Sequence, residues 1–163
     1  MLKEKLQQDV KDALKAGDSE KRVLLGMVMS AIKNREFEKR SKLSKTETDI
    51  TKLEEGSRLN DEEITEVLSS EIKKRKEAAE SFAKGGRQDL AEKEEKESAI
   101  LMGYMPEQMS EDEIRDIVKK TLAELGLKNI KDMGRAIGSI MAQVKGKADG
   151  TMVSRIVKEE LGK

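Results

Sequence analysis

Tyr104-Met105-Pro106-Glu107-Gln108-Met109-Ser110 holds the chain's only tyrosine and its only proline. Proline has no backbone N–H and crowds the residue before it out of the α region, so a helix running through Met102 must stop here. Ser110-Glu111-Asp112-Glu113 starts another at once, with Ser110 placed to cap and Glu113 to reach back, a capping box. A stop and a start this close predict a short joint over residues 105–109. On one side lies an N-terminal helical region, residues 1–104. On the other lies a compact C-terminal three-helix unit, residues 110–163.

Reading outward toward the C-terminus, Ile114, Ile117, Val118 and Leu125 share a helical face, and Gly126 ends that helix. Met133, Ile137, Ile140, Met141 and Val144 make a second face. Asp149 caps a last helix with Met152, Val153, Ile156, Val157 and Leu161 inward.

Toward the N-terminus, Arg87 begins a helix that is apolar only at Leu90, Ala91, Ala99, Ile100 and Leu101. Its middle, Glu92 to Glu97, is charged all round, so it should be exposed there and pack at its two ends. Before it, Asn60-Asp61-Glu62-Glu63 is a capping box opening a long helix with core positions Ile64, Val67 or Leu68, Ile72, Ala79 and Phe82, broken at Gly85-Gly86. Residues 41–59 form a polar insertion in which Ser44 and Gly56 bracket a short surface helix. The first two helices are a hairpin about Gly17. Leu2, Leu6, Val10, Ala13 and Leu14 face inward from one, and Val23, Leu24, Met27, Val28, Ala31 and Ile32 from the other, capped by Asp18 or Ser19.

The composition agrees with an all-α fold of two helical subdomains. Of 163 residues, 40% are charged and 2% aromatic, with one proline and no segment of strand character. No cysteine or histidine is present, which removes disulfides, the usual zinc, iron and copper ligands, and the commonest general base. No metal or cofactor is expected, and no catalytic constellation stands out. No apolar run approaches bilayer length, and residues 1–16 read as an amphipathic helix rather than a signal peptide, so no membrane association is expected and the cytoplasm is the expected compartment.

Net charge is zero, but unevenly spread. From Lys128 onward eight basic residues (Lys128, Lys131, Arg135, Lys145, Lys147, Arg155, Lys158, Lys163) face four acidic ones, leaving +4 there and −4 elsewhere. A basic end is the footprint of a polyanion partner. The basic runs Lys33-Asn34-Arg35 and Lys73-Lys74-Arg75-Lys76 are interleaved with glutamates and read as solvated helix faces.

Gly134, Gly138 and Ala142 recur every fourth residue. Each helical glycine costs about 1 kcal/mol against alanine, so either a neighbouring helix packs very close or a phosphate backbone approaches there. Lys145-Gly146-Lys147-Ala148-Asp149-Gly150 is the most site-like segment, with two lysines on a glycine turn and a helix N-terminus behind it. The alternative is an ordinary turn, because Asp149 as N-cap would occupy some of those N–H donors itself. Three aromatics are too few for a base-stacking platform, so nucleic acid would be read by shape and phosphates.

Taken together, residues 104–110, the run Lys131-Asp132-Met133-Gly134-Arg135 with Gly138, the segment Lys145 to Gly150 with Val153-Ser154, and Gly86-Arg87-Gln88-Asp89-Leu90-Ala91 after Glu71-Ile72-Lys73-Lys74-Arg75 resemble the YqeY-like proteins. The stretch from about Ser41 to Arg58 is longer than that family's pattern. The family is similar to the C-terminal tail domain of one subunit, GatB, of the aspartyl/glutamyl-tRNA amidotransferase. The resemblance implies two helical subdomains and a tRNA connection. It implies kinship with glutamine-dependent carbon–nitrogen ligases, not an activity of this chain alone.

The leading expectation is therefore a noncatalytic module for tRNA or another structured RNA. Lys128, Lys131, Arg135, Lys145, Gly146, Lys147 and Arg155 are the candidate contacts. A helical protein–protein adaptor is the alternative, and an accessory amidotransferase subunit the third.

Overall fold

A computed structural model describes residues 1–162. Among them are eight α-helices, one 3₁₀ turn and no strand, as the composition requires. The chain forms two compact units, Met1–Tyr104 and a second from Met105 onward.

The first unit contains α1 (Leu2–Ala16), α2 (Ser19–Leu43), α3 (Ile50–Ser57), α4 (Asp61–Lys84) and α5 (Gln88–Met102). Gly17, at φ 72°, supplies the left-handed residue that ends α1. The Asp18 carboxylate accepts from Lys21 N and starts α2. The hairpin is antiparallel: Lys3 Nζ, near the start of α1, lies 2.6 Å from Glu36 Oε1, far along α2. Inward from α2 come Leu24, Leu25, Val28 and Ile32, each at most 1% exposed. Val23 and Met27, expected inside, are instead 53% and 54% exposed, because the helix turns Leu25 to the core in their place.

The insertion is ordered differently from the expectation. Ser44 ends α2 rather than starting a helix, and Asp49 caps α3 by accepting from Thr51 N and Lys52 N. Leu53 and Leu59 are buried. The Asn60–Glu63 box forms in both directions and launches α4.

α5 is exposed through most of its charged middle, at Glu92, Lys93, Glu95 and Lys96, and packs toward its ends as expected. It lies along α4, burying Ala91, Ser98 and Leu101, with Glu94 and Glu97 half-buried between them. Glu97 is drawn in by Arg75, which is 5% exposed and not on a solvated face. Arg75 Nε donates to Glu97 Oε2 at 3.1 Å, and Nη1 to Glu71 Oε2 at 3.0 Å and to the Glu71 carbonyl at 3.1 Å. Charge alternation in sequence misses this, because one planar guanidinium can satisfy acids from two helices at once. Tyr104 closes the unit. Its hydroxyl donates to Asp9 of α1, and Lys5 Nζ sits 5.3 Å from the ring centroid.

The second unit contains α6 (Glu111–Leu125), the 3₁₀ turn Ile130–Asp132, α7 (Met133–Gln143) and α8 (Gly150–Leu161). The Ser110–Glu113 box forms, and Gly126 at φ 65° ends α6. Ile114 and Val118 of α6, Ala136 and Ile140 of α7, and Val153, Ile156 and Val157 of α8 are all fully buried in one core. Burying such side chains supplies roughly 1.5–3 kcal/mol each before conformational entropy is set against it.

Candidate nucleic-acid interface

The candidate residues sit in the second unit, so its charge layout decides what each can do. Between Met133 and Lys147 there is no acidic residue. α7 turns Ala136 and Ile140 to the core, with Met133, Ile137 and Met141 packed against its edge. Helical spacing then places Lys131, Gly134, Arg135, Gly138, Ala142 and Lys145 outward, and all six are exposed. The reading of the glycines as a tight helix–helix contact is overturned. A Cβ built on Gly134 or Gly138 meets nothing within 4 Å. The face is a bare backbone ridge about 15 Å long with cations at both ends and no carboxylate on it.

The turn after α7 is held from below. Gly146 is left-handed at φ 68°, its carbonyl accepts from Gln108 Nε2 at 2.7 Å, and the Lys147 carbonyl accepts from Met109 N at 2.8 Å. The 106–109 segment therefore positions the Lys145-Gly146-Lys147 turn. Nothing in the sequence pairs residues 38 positions apart, so this role of Gln108 and Met109 was not legible there. The exposed Lys147 has its backbone fixed on both sides, since its N–H also donates to the Val144 carbonyl at 2.9 Å. Asp149 does cap α8, accepting from Thr151 N at 2.8 Å, so that helix start is already occupied by a carboxylate.

Two candidates stand apart from this ridge. Arg155, on α8, holds Glu111 at 2.7 Å and Glu159 at 3.1 Å. Arg115 joins the same cluster, reaching Glu111 at 3.0 Å and Glu159 and Glu160 at 2.8 Å each. Arg155, then Arg115, hold the Glu111 carboxyl below its ordinary value, and Glu111 in turn raises Arg155. This staple of α6 to α8 occupies the guanidinium. Lys128 lies at an open depression of about 380 Å³ with Lys119, Leu122, Ala123, Gly126, Leu127, Glu160 and Leu161. Lys163, counted in the basic excess, lies outside the described residues.

Among the described residues no group of acids could hold a metal ion, and no helix is long and apolar enough to cross a membrane. The ridge carries exposed cations and an accessible backbone, with no acidic residue between Met133 and Lys147.

Comparison with known proteins places this geometry in context. The altered inheritance of mitochondria protein 41, mitochondrial, of Pyrenophora tritici-repentis is 28% identical over 161 residues, 97% of this chain and 80% of that protein. One subunit of the glutamyl-tRNA(Gln) amidotransferase of Methanobrevibacter smithii is 31% identical over 115 residues, 71% of this chain but 16% of that protein. One subunit of the aspartyl/glutamyl-tRNA(Asn/Gln) amidotransferase of Thermoanaerobacter sp. (strain X514) is 40% identical over 62 residues, 33% of this chain and 13% of that protein. The chain thus matches most of the first and a small part of the other two. The expectation of a cytoplasmic protein is overturned by relatives of the first kind, whose names place them in mitochondria. That expectation rested on the lack of a bilayer-length apolar run and of a signal-peptide pattern, and neither distinguishes one aqueous compartment from another. The family described as Yqey-like protein matches residues 3–161, and the chain belongs to that family.

Proposed function

We propose that the second unit is a module that binds the phosphate backbone of a structured RNA, tRNA first among the candidates, and performs no chemistry on it. The observation that carries this reading is the outward face of α7, where Gly134, Gly138 and Ala142 leave the backbone bare between Lys131 and Arg135 at one end and Lys145 and Lys147 at the other. Among the described residues nothing packs within 4 Å of an ideal Cβ at Gly134 or Gly138 to offset their helix-propensity cost. A phosphate strand laid along the ridge would offset it, and it would do so without reading sequence. Two relatives named as subunits of tRNA-dependent amidotransferases favour tRNA as the first ligand to try.

The test is fluorescence anisotropy of labelled bulk tRNA, with a mitochondrial tRNA pool in parallel, over a salt series. Four phosphate contacts give a slope of log affinity against log salt of about −3 to −4. Lys145→Glu/Lys147→Glu should remove measurable binding while leaving helicity unchanged. No binding of any RNA at low salt would end this reading. A second reading, an accessory place in an amidotransferase assembly, is favoured by the same two names. It predicts co-elution with the other subunits, which the ridge mutant would not disturb.

A further inference from the structure

One helix carries two apolar faces, and the fold uses one. α2 buries Leu24, Leu25, Val28 and Ile32, yet Val23, Met27 and Phe37 stand 53%, 54% and 66% exposed. With the exposed Ser30 and Asn34 they repeat at intervals of four, three, four and three residues. That is the spacing of a coiled-coil seam, and it runs along a helix about 37 Å long. The seam begins at Val23, because Glu20, the position before it, would face its own image. Gly26 lies beside the seam in mid-helix with nothing within 4 Å of its ideal Cβ, so another backbone can come close there.

The charges flanking the seam select the occupant. In that register Lys33 lies on one edge of the seam and Glu38 on the other, and both are exposed. A two-fold axis running parallel to the helix lays each copy's Lys33 edge along the other's Glu38 edge. Lys33 then meets Glu38 of the second copy, five residues on, and the symmetry makes this contact twice. An antiparallel pairing sets like edge against like edge and makes neither contact. A face whose two edges complement each other in one orientation is built for a copy of the same chain. Glu38 shares an exposed pair with Arg35 at 3.1 Å, a contact weak enough to be shared with a second copy.

We infer that the chain forms a parallel two-fold dimer through the outer face of α2, with Val23, Met27 and Phe37 packing on their own images. Asn34 meets Asn34 across the axis and sets the register. A single-helix seam is a small interface, so the dimer is concentration-dependent.

Sedimentation equilibrium from roughly 5 to 500 µM, the range suited to a weak interface, should show mass rising from monomer to dimer. Met27→Glu should stay monomeric throughout with an unchanged thermal midpoint, because the side chain it replaces is half exposed. Lys33→Glu should weaken association several-fold, and Lys33→Glu/Glu38→Lys should restore it. The chain has no cysteine, so Asn34→Cys supplies a single thiol. Mild oxidation should link two copies, since the parallel seam brings these positions together, whereas an antiparallel seam centred on Ser30 separates them by about 12 Å along the axis. A monomer at every concentration overturns the inference. So does a dimer that survives Met27→Glu, or one that Asn34→Cys fails to crosslink.

Discussion

Replacing Gly134 and Gly138 by alanine asks whether the α7 ridge is as bare in solution as in the structure. Neither glycine is left-handed, and neither has an atom within 4 Å of where a Cβ would stand. The only terms left are backbone entropy and helix propensity, both favouring alanine. Gly138, in mid-helix, should gain close to about 1 kcal/mol, and Gly134, in the first turn, about half that. The double variant should therefore be more stable by about 1.5 kcal/mol. For a unit of this size that is a rise in midpoint of the order of 6–12 °C, provided the unit melts by itself. Urea titration followed by circular dichroism measures it. A loss of stability would mean that something already packs on the ridge, and the bare-face argument would fail. If the RNA reading holds, the same variant binds tRNA more weakly while being more stable, and Gly138→Leu deepens the defect without unfolding the helix. Stability and affinity moving in opposite directions is the pattern expected of a contact surface, not of a core.

Three other outcomes follow from the geometry. Arg75→Ala strands half-buried Glu97 and leaves buried Glu71 with Lys74 as its remaining side-chain partner, and should cost about 3 kcal/mol by urea unfolding, whereas exposed Lys73→Ala should cost under about 0.5 kcal/mol. Gln108→Ala removes the side-chain bonds to the Gly146 and Pro106 carbonyls and should cost about 1 kcal/mol, with loss of amide protection at Gly146 and Lys147 in hydrogen exchange. The pH dependence has a defined sign. Burial raises Glu71, but the hydrogen bonds from Lys74 and Arg75 outweigh it and hold its carboxyl below the ordinary value of 4.5. Its contribution is therefore complete above that value and is lost as pH falls through the lower folded value, so Glu71→Gln should flatten the acid limb of a stability–pH curve.

The helices, their caps and most of the core were legible in the sequence because those signals are local. Asn60–Glu63 and Ser110–Glu113 each encode both halves of a cap within four residues, and both form. Ile140, Val144, Val153, Ile156 and Val157 are inside because apolar spacing at 3.6 residues per turn has only one way to be buried. The insertion was less readable, since Ser44 and Asp49 offer competing caps five residues apart and the end of α2 decided between them.

What local pattern could not decide was which of two plausible faces has a partner. α2 is apolar on both sides, and only its packing against α1, α3, α4 and α5 settles that Leu25 goes in while Val23 and Met27 stay out. Arg75 carries the same charge as its exposed neighbours Lys73 and Lys74, and only the approach of α5, bringing Glu97, draws it inward. Arg155 belonged to the basic excess by count, but the fold commits its charge to Glu111 and Glu159. The sequence by itself determined where helices begin, end and carry apolar faces, because those depend on dihedrals and spacing within a few residues. Tertiary structure alone decided that Arg75 and Arg155 are held in ion pairs with Glu97 and Glu111, because that pairing depends on elements that lie tens of residues apart.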